Sequence, residues 1–133
     1  MSRSPQMEIL SRVDALYRDD SRHTKRTWAR NRQGGAVDGQ FDPKAYSFCF
    51  EAAITFVAWK MFGDTVAAKQ HGAKAKEVVL ERIACWPMRS APPQSIVQKI
   101  LRRKPPCYKT IPEFNDQQGL EAVRTVLHEL VHS

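Results

Sequence analysis

A chain of 133 residues with 42% apolar content has the size of one globular domain and can bury a single core. Its net charge of +7 and pI near 9.6 suit an anionic partner, acidic protein or nucleic acid, without choosing between them. No run approaches the ~20 apolar residues of a membrane span, the first six residues lack the apolar core of a signal peptide, and three widely spaced cysteines make no disulfide framework; a reduced, cytoplasmic protein without a membrane partner is expected.

Residues 1–6 read as a flexible N-terminus and 7–133 as a single helical domain. Ile9, Leu10, Val13, Leu16 and Tyr17 form one helical stripe from Met7 to Arg18, stopped by Asp19-Asp20-Ser21. The stretch from Arg22 to Arg32 holds five cations (Arg22, Lys25, Arg26, Arg30 and Arg32) and no acid. Gln33-Gly34-Gly35 signals a turn, so a small β-hairpin and an ordered loop both fit residues 27–38.

Asp42-Pro43 has the chemistry of a helix start, a carboxylate able to cap the first turn and a proline at its first position. Ala45, Phe48, Cys49, Ala52, Ala53, Phe56, Val57 and Met61 are apolar over most of the circumference. They predict a central buried helix over 43–62, with Gly63 as its C-terminal cap. Asp64 is placed to cap a third helix. Gly72 is expected to interrupt it and Pro87 to end it, with Val78, Val79, Ile83 and Trp86 facing inward. Ile96, Val97, Ile100 and Leu101 predict a short fourth helix bordered by Lys99, Arg102, Arg103 and Lys104. With Lys109 these cations form a second basic zone. Cys107–Phe114 reads as extended, and Val123, Leu127, Leu130 and Val131 predict a last helix over Leu120–Val131. The fold class is mainly α, a single compact domain of about five helices around residues 43–62.

Two segments carry a family pattern. Trp28-Ala29-Arg30-Asn31, Gly34-Gly35, Val37-Asp38, Asp42-Pro43-Lys44-Ala45, Phe48-Cys49 and Ala52-Ala53 form one; Phe114-Asn115-Asp116 and Gly119 form the other. Together they resemble the uncharacterised family of bacterial and phage proteins catalogued as domain of unknown function 6197. The likeness spans residues 28–54 and 111–131. Ala52 stands where the family has glycine, and Phe114 where it has tryptophan. The resemblance implies a setting in bacteria and mobile elements, and no reaction.

Several constellations invite chemistry. His128-Glu129-Leu130-Val131-His132 spells the His-Glu-x-x-His pattern, whose histidines share a helix face and can bind one zinc, but catalytic zinc needs a third protein ligand and none is expected here. The expectation is a solvated helix end. Cys49, with Asn115 or Asp116 and His71 or His128 as base, would make a thiol hydrolase. Its apolar neighbours and its position nearly two turns into the expected helix favour a core cysteine. Asn115-Asp116 is read as capping local backbone and bracing the central helix. Trp28 is read as an anchor into the core, leaving the cations around it open to phosphates.

The expected function is therefore binding without catalysis, with no cofactor, no metal and no catalytic residue. This would be a small basic accessory protein of a phage or mobile element, acting on an acidic protein or nucleoprotein complex; a counter-defence inhibitor of the anti-CRISPR kind is one concrete form. Partner contact is assigned to Arg22, Lys25, Arg26, Arg30, Arg32, Lys99, Arg102, Arg103 and Lys104. Direct nucleic-acid binding is the main alternative, followed by the Cys49 hydrolase and the His128/His132 metalloprotease.

Overall fold

The computed structural model describes residues 4–84, 86 and 108–132. The expected fourth helix with Lys99, Arg102, Arg103 and Lys104, the Pro87 stop, and Cys85 and Cys107 lie outside them. Four helices carry the described fold: α1 (Pro5–Leu16), α2 (Phe50–Phe62), α3 (Val66–Ile83) and α4 (Ile111–Val131). A two-stranded antiparallel ribbon, β1 (Ala29–Arg30) and β2 (Ser47–Phe48), precedes α2. The protein is mainly α with a small sheet, as the residue pattern predicts.

Helix α1 begins two residues before the expected Met7. Ser4 accepts from the Met7 N–H and Pro5 opens the first turn, so Pro5 and Gln6 are helical rather than loose. Its stripe of Ile9, Leu10, Val13 and Tyr17 is fully buried against the other three helices. The exit is closed from a distance: the Arg124 guanidinium on α4 donates to the Tyr17 carbonyl at 2.9 and 2.6 Å. That satisfies a C-terminal carbonyl, while Asp20 and Glu121 neutralise the cation.

The central helix is shorter than 43–62. Asp42 makes an Asx-turn instead of a cap: its Oδ1 accepts from the Lys44 N–H at 2.8 Å, and its carbonyl accepts from the Ala45 N–H at 2.9 Å. The chain then extends, because the Tyr46 N–H donates to the Arg30 carbonyl and Ser47–Phe48 pairs with Ala29–Arg30. Long-range pairing of a Tyr-Ser-Phe run outweighs the local helix signal. Helix α2 starts at Phe50 and ends at Gly63, whose φ of 74° suits glycine. Phe50, Ala52, Ala53, Ile54, Val57 and Ala58 are buried, which keeps α2 at the centre.

Helix α3 is capped by Thr65, not Asp64: the threonine hydroxyl accepts from the Ala68 N–H at 3.1 Å. Gly72 does not interrupt it. A Cβ there would lie 3.4 Å from that of Ala58, so the glycine lets α2 and α3 approach closely. Helix α4 begins at Ile111, where Thr110 caps the Glu113 N–H and Pro112 occupies the first turn. Phe114, Asn115 and Asp116 are therefore helical rather than extended or in a turn. Gly119, with φ of 83°, kinks α4 and separates this first part from the predicted Leu120–Val131. Arg82, 2% exposed, ties α3 to α4 through the Glu129 carboxylate at 2.6 Å.

At Gly119 the positive φ coincides with a close approach of Lys25, whose Nζ lies 3.3 Å from where a Cβ would sit. Gly119→Ala is expected to lower stability by roughly 1–2 kcal/mol, read from urea denaturation followed by circular dichroism. Gly34→Ala, also at positive φ but with open space around it, is expected to cost less.

Candidate functional site

The loop carrying the cations is held in place by α4. Asn115 is fully buried and its carboxamide is saturated. Oδ1 accepts from the Phe50 N–H at 3.2 Å and from His23 Nε2 at 2.7 Å, while Nδ2 donates to the Thr24 carbonyl at 3.0 Å and to Asp116 at 3.1 Å. The Phe50 amide only donates and the Thr24 carbonyl only accepts, which fixes the amide orientation. His23 must then carry its proton on Nε2. Burial lowers the His23 pKa from 6.5, keeping the ring neutral.

Phe50 opens α2, and Cys49, its capping residue, makes no side-chain cap bond. Asn115 supplies that bond from another helix, the brace expected of Asn115-Asp116. Asp116 extends it by accepting from the Arg26 N–H at 2.9 Å. Arg26 has φ of 66°, a left-handed conformation that costs a non-glycine residue about 1–2 kcal/mol and that this bond helps hold.

The five cations divide by role. Arg30 folds back on its own loop, donating to the Thr24 hydroxyl at 2.7 Å and to the Gly34 and Lys25 carbonyls. Arg22 donates to the Tyr46 carbonyl at 2.5 Å and lies 4.4 Å from the Tyr46 ring centre. Arg32 reaches the same ring at 4.8 Å, with its charge exposed. Lys25 and Arg26 are exposed, and no carboxylate pairs with either side chain among the described residues.

Trp28 is not a core anchor: it is 48% exposed. Strand alternation explains the reversal. Ala29, paired with Phe48, takes the core side, which turns Trp28 outward beside Arg26 and Thr27. Its ring borders two hollows. A small one of about 190 Å³ is lined by Arg26, Thr27, Trp28, Cys49, Pro112 and Asp116. A larger one of about 480 Å³ runs along residues 38–42 to α2 and Lys76. Nothing in the local pattern marked Phe41, which is 50% exposed on this second hollow.

Cys49 is buried, as expected, but sits at the cap of α2 rather than two turns inside it. Two effects oppose each other there. Burial raises the thiol pKa, while the Ala52 and Glu51 backbone N–H groups lower it; burial wins and the value reaches about 11. The thiol is then overwhelmingly neutral at pH 7. His71 packs on Phe62, at the far end of the 13-residue α2, about 20 Å away at 1.5 Å per residue. His128 lies more than three turns along α4 from Asn115. The His128 and His132 rings lie 4.6 Å apart, tilted by 43°, but the intervening Glu129 is bound to Arg82. Among the described residues, no three His, Cys, Asp or Glu side chains gather as metal ligands, and no helix is long and apolar enough to cross a membrane.

Comparison with protein-family models, with curated proteins and with solved structures gives no match.

Two measurements probe this arrangement. Asn115→Ala strands the buried Phe50 N–H and Thr24 carbonyl, and is expected to cost roughly 2–4 kcal/mol in urea denaturation. In a Cys85→Ser/Cys107→Ser background, iodoacetamide is expected to label native Cys49 at least about a hundredfold more slowly than the unfolded chain at pH near 8. Equal rates would show an accessible, ionised thiol.

Proposed function

We propose that this chain is a non-catalytic binding protein whose partner is an acidic protein or a nucleoprotein complex. The observation that carries the reading is the half-exposed Trp28 ring on a braced loop, beside the free charges of Lys25 and Arg26. An exposed aromatic is costly in water and suits a contact surface; adjacent cations suit carboxylates or phosphates. The bracing matters as much as the side chains. Asn115, Asp116 and Arg30 hold the loop backbone before any partner arrives, so less ordering entropy is lost on binding. The neutral Cys49 and the distance of His71 and His128 from it weigh against hydrolysis.

Of the five cations between Arg22 and Arg32, Lys25, Arg26 and Arg32 are the side chains presented to a partner, while Arg22 and Arg30 shape the loop from behind. The phage or mobile-element setting, and with it counter-defence inhibition, rests on the family resemblance alone. Direct nucleic-acid binding is the second reading, favoured by the same Trp28 ring as a stacking platform.

A pull-down from host lysate at low ionic strength is expected to recover a partner. Trp28→Ala and the double substitution Lys25→Glu/Arg26→Glu are each expected to reduce capture at least about tenfold with unchanged melting temperature. Loss of capture after nuclease treatment, with a salt-sensitive gel shift on short oligonucleotides, selects the nucleic-acid reading. No partner at low salt, or capture unmoved by these substitutions, refutes the proposal.

A further inference from the structure

The 480 Å³ hollow beside Trp28 continues into a second, of about 290 Å³, through the shared residues Phe41, Thr55 and Lys76. Together they form a groove between the 38–42 loop and the α2–α3 pair. Its lining in the second part includes the small residues Ala58, Ala68 and Gly72. Its sides are aromatic. Phe41 packs on Trp59 at 5.3 Å between ring centres yet remains half exposed. Such a face is the kind of apolar surface a soluble monomer keeps small unless something covers it.

The rim carries the opposite sign to the chain as a whole. Asp38, Asp42, Glu51 and Asp64 line the groove against Lys69 and Lys76, a local excess of two negative charges in a protein of net charge +7. Lys76 is itself engaged by Glu51 at 3.7 Å. Asp42 spends its carboxylate on the Lys44 and Asp38 N–H groups. The Asp38 and Asp64 carboxylates have no partner among the described residues, and both are exposed, one toward each end of the groove.

We propose that this groove docks a cationic peptide segment of a partner protein, an apolar side chain seated on Ala58, Ala68 and Gly72 between Phe41 and Trp59, and Lys or Arg side chains reaching Asp38 and Asp64. Charge complementarity selects this occupant. An acidic segment meets unpaired carboxylates, and a wholly apolar one leaves them unanswered. Cations also suit the exposed face of Phe41. The net positive charge of the chain disfavours a cationic peptide over the molecule as a whole, so a locally acidic face is where it is drawn. The inference goes beyond the binding role proposed above and uses side chains other than Lys25, Arg26 and Arg32.

The test titrates the isotope-labelled full chain with a twelve-residue peptide of alternating Leu and Lys pairs, at low salt, following backbone amide shifts. Shifts are expected at residues 38–42, 55–59 and 64–73, and none with the same peptide carrying Glu in place of Lys. Ala73→Arg, at an exposed position lining the groove, and Asp38→Lys, on the loop, are each expected to weaken binding at least about tenfold. Asp38→Lys alters an exposed loop residue, so its result stands even where Ala73→Arg perturbs α3. Equal binding of the Glu peptide, shifts centred on residues 25–32, or an affinity unmoved by Asp38→Lys would each overturn the proposal.

Discussion

The fold turns on one carboxamide. The N-terminus of α2 is buried and lacks a side-chain cap of its own, so its first N–H group needs a partner that neither water nor Cys49 provides. Asn115 is that partner, and the same side chain holds the Thr24 carbonyl and the His23 ring. One group thereby joins the last helix, the central helix and the cation-bearing loop. Removing it leaves a donor and an acceptor in the interior at once, a larger penalty than the loss of an ordinary surface hydrogen bond.

Much of the positive charge is structural. Arg124 closes the end of α1, Arg82 is buried against Glu129, Arg30 gathers loop carbonyls, and Arg22 packs on Tyr46. Guanidinium groups suit these tasks because their several donors answer several carbonyls from one side chain. The consequence is that a basic composition overstates the free cationic surface. Lys25 and Arg26 stand out because their neighbours do the scaffolding, with Trp28 turned to solvent beside them. On the other side of Trp28 lies an acidic, aromatic groove. Two faces of opposite character thus meet at one exposed indole.

The parts legible in the sequence were those governed by local periodicity. The stripe Ile9, Leu10, Val13 and Tyr17 is buried because 3.6-residue spacing puts it on one face, and Gly63 ends α2 because few other residues accept its backbone angles. Asp42-Pro43 misled for a physical reason: an Asx-turn and a helix cap use the same side-chain-to-backbone bond, and only the distant pairing with Ala29–Arg30 decides between them. Reading that segment as helix also misplaced Cys49. Trp28 faced the same limit, since a two-residue strand is too short to show which side is inward. Asn115 was readable as a brace, but its partners were not, because they lie far off in sequence.

That separation has its own consequence for how the polypeptide acquires shape during synthesis. The Asn115 bonds span 65, 91 and 92 residues. A nascent chain emerging from the ribosome therefore exposes its central helix long before the residue that finishes it has been made. Until then the start of α2 frays and the arginine-rich loop has no fixed course. The loop and the start of α2 gain their fixed course only once α4 has been made and folds back across them.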